Sequence, residues 1–191
     1  LVSKTGVKVA PSTEYASLLD WLLAHQKIVM KRVGVTLHWE DGRLTRIKPL
    51  NAEAANHDGH YRVKGHASLD GQEPSELSLL ADLDISHGFS TDVQGHAFIS
   101  AERVVLAEWR TFLNKLGCYV NDGRGEIQLW FDVRNTRPVA VQSAVRLRDV
   151  VWQYEPQGAT RNIDRFSANM AWEETADGWR GTADRIRLKA N

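Results

Sequence analysis

The sequence predicts a mainly β protein: a long twisted antiparallel sheet of about eight strands, curled into a groove or partial barrel, with two short α-helices. Three observations carry this reading. Apolar residues recur at every second position through most of the chain, clusters of turn-forming residues separate these runs, and only two segments show helical spacing.

The first element is helical. Tyr15, Leu18, Leu19, Leu22 and Leu23 form one apolar stripe at i, i+3, i+4, i+7 and i+8. Ser12 or Thr13 supplies a capping hydroxyl ahead of Glu14, so the helix is expected near residues 12–25. Alternation then takes over in Val33/Val35/Leu37/Trp39, Tyr61/Val63/Gly65/Ala67/Leu69, Leu77/Leu79/Ala81/Leu83/Ile85 and Val93/Gly95/Ala97/Ile99. A second helix is expected near residues 105–116, where Leu106, Trp109, Leu113 and Leu116 share a face and Gly117 offers a left-handed stop. Alternation resumes in Ile127/Leu129/Phe131/Val133, Val139/Val141/Ser143/Val145/Leu147 and Phe166/Ala168/Met170/Trp172. The final run, from Trp179 to Leu188, keeps the pattern after a one-residue slip, the mark of a bulge.

Turn chemistry punctuates the strands. Glu40-Asp41-Gly42-Arg43 and Asp177-Gly178 are hairpin signals. Asn56-His57-Asp58-Gly59, Asp70-Gly71-Gln72-Glu73-Pro74 and Asn135-Thr136-Arg137-Pro138 read as slightly longer loops, and Glu155-Pro156-Gln157-Gly158 ends a long strand. Val63-Lys64-Gly65-His66-Ala67 is echoed by Val93-Gln94-Gly95-His96-Ala97, and the echo suggests a sheet able to extend in one direction.

Composition bounds the function. With 191 residues, 42% apolar and 25% charged, the chain has room for one domain with a core, read as a single β-groove domain over 1–191. Twenty-four basic residues balance twenty-four acidic ones, which gives no electrostatic basis for binding nucleic acid or anionic membrane surfaces. The single cysteine, Cys118, excludes an intrachain disulfide and a Cys-based zinc site, and is expected as a small core residue. No apolar run approaches the roughly 20 residues of a spanning helix, so no membrane span is expected within this segment. The start at Leu1 and the polar end at Asn191 lead to the expectation of a fragment of a longer protein.

Catalytic and metal chemistry find little support. His57 and His60, with His66, His87 and His96, make the one constellation resembling a metal site, but no cysteine joins them and they read as solvated histidines. No Gly-x-Ser-x-Gly elbow occurs. Asp122-Gly123-Arg124-Gly125 lacks the Lys-Ser/Thr of a phosphate loop and reads as a plain turn. The expectation is a protein that is not an enzyme and needs no metal or other cofactor. Trp130 stands apart, because its parity is opposite to that of Ile127, Leu129, Phe131 and Val133.

About eight strands present more dry surface than two short helices can cover. The groove lining expected from the apolar parity is Val33, Val35, Leu37, Val63, Leu79, Leu83, Val93, Ile99, Leu129, Phe131, Val141, Val145, Phe166 and Met170. Leu18, Leu19, Leu22 and Leu23 are expected to pack on that groove.

Two passages add a resemblance. Gly125-Glu126-Ile127-Gln128-Leu129-Trp130-Phe131-Asp132-Val133 is a Gly-led strand containing Leu-Trp, and Pro138 to Val150 is an alternating strand that closes on Leu-x-Asp-Val. Ser17 to Ile28 holds a Trp-Leu-Leu helix, followed by a strand with Trp39-Glu40-Asp41. Over roughly residues 12 to 190 this resembles the AsmA-like superfamily, in particular its YhdP branch, related to TamB. The resemblance implies a periplasmic segment of a long bacterial envelope protein anchored in the inner membrane. It also implies an apolar trough for phospholipid transport between inner and outer membranes. Its partners would be phospholipid acyl chains and neighbouring β-segments of the same full-length chain, and it brings no catalytic residues. The competing expectations are a non-enzymatic structural spacer or protein-interaction β-module of the envelope, and a closed cup carrying one small apolar ligand.

Overall fold

A computed structural model describes residues 25–38, 44–69, 75–85, 92–115, 117–155 and 158–190. Nine strands follow one another: β1 (Lys27–His38), β2 (Leu44–His57), β3 (His60–Leu69), β4 (Ser75–Asp84), β5 (Gln94–Val105), β6 (Tyr119–Arg134), β7 (Arg137–Gln153), β8 (Thr160–Thr175) and β9 (Gly178–Lys189). All pair antiparallel in one sheet whose spatial order is the chain order. β1 and β9 are its two edges, so the sheet is open rather than closed into a barrel.

Two of the links are tighter than expected. Asp58 and Gly59, at φ 53° and 86°, make a two-residue turn beneath the pair His57 and His60. The Asn56 side-chain oxygen accepts the Gly59 amide at 3.0 Å. Asn135 and Thr136, at φ 50° and 60°, do the same beneath Arg134 and Arg137. These pairs adopt the twist that matches flanking strands, so no longer loop is required.

The ninth strand is β2, which the alternation did not reveal. Its inward positions are Leu50, Ala52 and Ala54, small residues with little hydropathy contrast, and Pro49 interrupts the run. Pro49 lies at the register shift between Ile47 and Leu50, where a missing amide does not break the ladder.

The two expected α-helices are not borne out as a pair. Of the segment near 12–25, residues 12–24, with Leu18, Leu19, Leu22 and Leu23, lie outside the described residues. Near 105–116 the chain forms a 3-10 turn, Leu106–Trp109, that runs into a six-residue stub, α1 (Arg110–Lys115). Val105 stays in β5 because it still pairs with Arg124, which shortens the helix from its start. Gly117, at φ 77°, supplies the expected stop. Cys118 follows it and is exposed, not a core residue, because it lies in the link between α1 and β6.

Mid-strand bulges keep one face apolar. Arg32, Arg103 and Arg185 have φ of 54°, 56° and 50° at register shifts in β1, β5 and β9. The slip expected in the last run is the one at Arg185. Each absorbs one extra residue and sharpens the local twist, so that Met30 and Val33, or Ala101 and Val104, still share a face. The Asp122–Gly125 stretch is also strand rather than turn, inside β6. Gly123, at φ 142°, lies there at an irregularity, and an added Cβ would stand 2.9 Å from the Leu106 side chain.

The core is divided between the two ends of the sheet. At one, Tyr61, Ile85 and Val93 are buried together, with Leu83 and Val133 against them. At the other, Leu106 of the helical segment is buried with Val104 and Val150, and Trp109 and Leu113 of the same segment pack against them. Between these ends, strands make extensive contacts with their sequence neighbours alone, with no second layer among the described residues.

Candidate apolar groove

Cross-strand pairing in an antiparallel ladder puts partner residues on the same face. Following partners from strand to strand therefore reads out the face directly. One row crosses all nine strands as Met30, Ala52, Gly65, Leu79, Ile99, Leu129, Ser143, Met170 and Ala183. The row on one side is Ile28, Ala54, Val63, Ala81, Ala97, Phe131, Val141, Trp172 and Gly181. On the other side Val33, Leu50, Ala67, Leu77, Ala101, Ile127, Val145 and Ala168 cross β1 to β8. No charged side chain interrupts these three rows. The one polar group is Ser143, whose buried Oγ has no hydrogen-bond partner among the described residues.

The face is dry in composition but not sealed. Ala67, Ser143 and Ala168 are buried between larger neighbours, whereas Val63, Leu79, Ile99, Leu129, Phe131, Val141, Val145, Phe166 and Met170 keep intermediate exposure. Small residues recessed between large ones belong to an apolar strip that runs across the strands. At about 4.8 Å per strand, nine strands carry it about 38 Å.

Most of the lining expected from sequence falls on this face. Val33 and Val35 lie opposite Leu50 and Ile47, and Phe166 lies opposite Leu147 and Leu188. Leu37 pairs with Thr45 in the backbone ladder. Leu83 lies at the margin, opposite Tyr61 and Gly95. Val93 is different: it precedes β5 and is buried at 4% exposure with Tyr61 and Ile85, where it closes one end of the sheet. Leu77, Ile127, Leu50, Ala52 and Ala54 belong to the face without having been singled out. Leu77 and Ile127 carried the signal, in the alternation of their own strands.

The echo between Val63–Ala67 and Val93–Ala97 does not mark equivalent positions. Gly65 lies in the row of Leu79, whereas Gly95 lies opposite Leu83, two rows away. Gly95 is required by its own geometry, because at φ 137° an added Cβ would fall 2.1 Å from the Asp82 carbonyl oxygen.

The opposite face is polar and knitted by cross-strand pairs. His60 meets Asp82 and His96 meets Asp132, each at 2.7 Å, and Lys27 meets Glu53 at 2.8 Å. His66 and His96 are exposed there, as their parity implied. Among the described residues no group of three or more His, Cys, Asp or Glu side chains converges to hold a metal ion. The Glu53 carboxyl is held below the usual carboxylate range, first by its hydrogen bond from Lys27 and then by the charge of that ammonium. Trp130 lies on this face too, opposite Phe98 and Gln142.

No helix among the described residues is long and apolar enough to cross a membrane. No curated protein and no solved structure matches the chain. A family model described as YhdP protein does match, over residues 3–191, and its span agrees with a face that stays apolar from the first strand to the last. This chain belongs to the YhdP protein family.

Proposed function

We propose that this chain forms one segment of a groove along which phospholipid acyl chains travel through the bacterial envelope, between inner and outer membranes. The observation that carries the reading is the unbroken set of apolar rows across an open sheet. A groove of this kind works by area rather than by shape. Each CH₂ taken out of water gains about 0.8 kcal/mol, so an acyl chain is held by the strip as a whole. Because the gain is nearly the same at each position, the chain can slide without crossing large barriers. Head groups stay in solvent along the open side. This function needs no catalytic group.

The open edges fit the same reading. Among the described residues no strand pairs with the outer edge of β1 or of β9, so their outward-pointing backbone groups are open to pairing. In the proposal, neighbouring β-segments of the same longer protein pair there and lengthen the groove along the stacking axis. The segment lies in the periplasm of a protein anchored in the inner membrane.

The test is site-specific photo-crosslinking in cells at Leu129 and Val145, with Gln128 and Ala144, their neighbours on the polar face, as controls. Phospholipid captured from the first pair and not from the second supports the groove. Equal capture from both pairs, or none from either, overturns it in favour of a spacer or a protein-docking module.

A further inference from the structure

The polar face carries a concentration of positive charge that the neutral composition conceals. Register places Arg124, Arg148, Arg165 and Lys189 directly opposite one another on β6, β7, β8 and β9. They line a depression of about 900 Å³ with three more cations, among them Arg187, and with only two acids, Glu102 and Glu126. Glu126 is already engaged by Arg146 at 2.7 Å. Lys189 reaches Asp164 at a loose 3.9 Å. Among the described residues no ion pair involves Arg148, Arg165 or Arg187.

Like charges directly opposite one another destabilise a sheet. A ladder of four, with its central members unpaired, is therefore a cost the fold carries in the absence of an anion. The bulge at Arg185 lies close to the same rows, and Asp149 beside Arg148 also has a positive φ, 53°. Such irregularities re-aim side chains and sharpen the local twist. Arginine's fork of donors suits phosphate oxygens, which it binds through two parallel hydrogen bonds. Four cations at strand spacing span about 14 Å, more than one phosphate can bridge.

We propose that this depression is a binding site for a ligand bearing two or more phosphate groups, held by Arg148, Arg165 and Arg187 and flanked by Arg124 and Lys189. By register the cations lie on the face opposite the apolar rows, although Leu147, Phe166 and Leu188 also line the depression, and a phosphate ligand here does not require acyl chains in the groove. The shared chemistry is a clustered phosphate, from a lipid head group or from a soluble phosphate ester.

Calorimetric titration of the full chain with sodium tripolyphosphate at low salt tests it. Saturable binding is expected, weakened about tenfold or more when Arg148→Gln and Arg165→Gln are combined. Arg62→Gln, a cation elsewhere on the same face, is expected to leave the affinity unchanged. The double variant should melt no lower than the parent, because removing like-charge contacts relieves the sheet. Each single variant should show part of the loss. Flotation with phosphatidylcholine vesicles, with and without cardiolipin, separates the sources. Recruitment by cardiolipin that the double variant loses assigns a lipid head group, whereas tripolyphosphate binding without recruitment assigns a soluble ester. Equal tripolyphosphate affinity for parent and double variant, or a matching loss with Arg62→Gln, overturns the site.

Discussion

Phe98 and Trp130 pack on the polar face of the sheet with ring centroids 5.2 Å apart and planes inclined at 40°. They are direct cross-strand partners of β5 and β6, and Leu80 of β4 continues their row. An aromatic pair on the wet side replaces salt bridges there with contact area. Such pairs are worth about 0.5–1.5 kcal/mol beyond burial. A double-mutant cycle with Phe98→Ala and Trp130→Ala, read from denaturant midpoints, should return a coupling in that range. A coupling of zero would mean that the two rings act separately.

The alternation itself is testable one residue at a time. Val145 lies in an apolar row between Ile127 and Ala168, while Ala144 lies on the other face between Gln128 and Asn169. Val145→Asp should destabilise the chain by about 1–3 kcal/mol, because a charge is placed where no partner stands. Ala144→Asp should stay within about 0.5 kcal/mol of the parent, as for ordinary surface substitutions. Urea midpoints measure both, and equal losses would contradict the assignment of faces.

Gly95 leaves no room for a side chain. Its Cβ would overlap the Asp82 carbonyl, and its φ of 137° is a conformation that L side chains rarely adopt. Gly95→Ala should cost at least about 2 kcal/mol, combining backbone strain with displacement of β4. Gly34, with open space around it, is the control. There an alanine should change the melting temperature little.

Lys27 and Glu53 tie the edge strand β1 to β2. Since the Glu53 pKa is lowered by folding, its contribution to stability is present above the carboxyl's unfolded pKa. That contribution is lost as pH falls through the lower, folded value. Lys27→Gln should raise the Glu53 pKa toward the ordinary range in a carboxyl NMR titration. Added salt should shrink the difference, because the pair is exposed.

Protection from hydrogen exchange should follow position in the sheet. β6, β7 and β8 are the longest strands, at 16, 17 and 16 residues, and are paired on both sides, whereas β9 is an edge exposed along its whole length. Amides at Leu129 and Val141 should exchange by opening events far rarer than those releasing Trp179 or Ile186. Uniform protection across the sheet would instead mean that it opens as one unit.

Much of this protein was legible in the order of its residues. Period-two alternation through β3 to β8 identifies a sheet with one dry face, because parity along a strand is set by backbone geometry alone. Thirteen of the fourteen expected lining positions lie within strands for that reason. What failed were places where parity or propensity meets another constraint. Val93 has the right parity but precedes its strand and is buried with Tyr61. β2 is held by partners on both sides despite its alanines and Pro49. Leu106 and Trp109 follow a strand whose pairing extends to Val105, so little length remains for a helix.

The sequence by itself determined the faces of the strands, the family and the lack of net charge. Only the tertiary structure decided that the strands stack in chain order with both edges open, and hence that the dry rows run continuous from β1 to β9. It alone also brought Arg124, Arg148, Arg165 and Lys189 into line, although they are far apart along a neutral chain. The physical reason is the same for both. Alternation says which side a residue faces, but turn lengths and bulges set the register, and register decides which residues become neighbours.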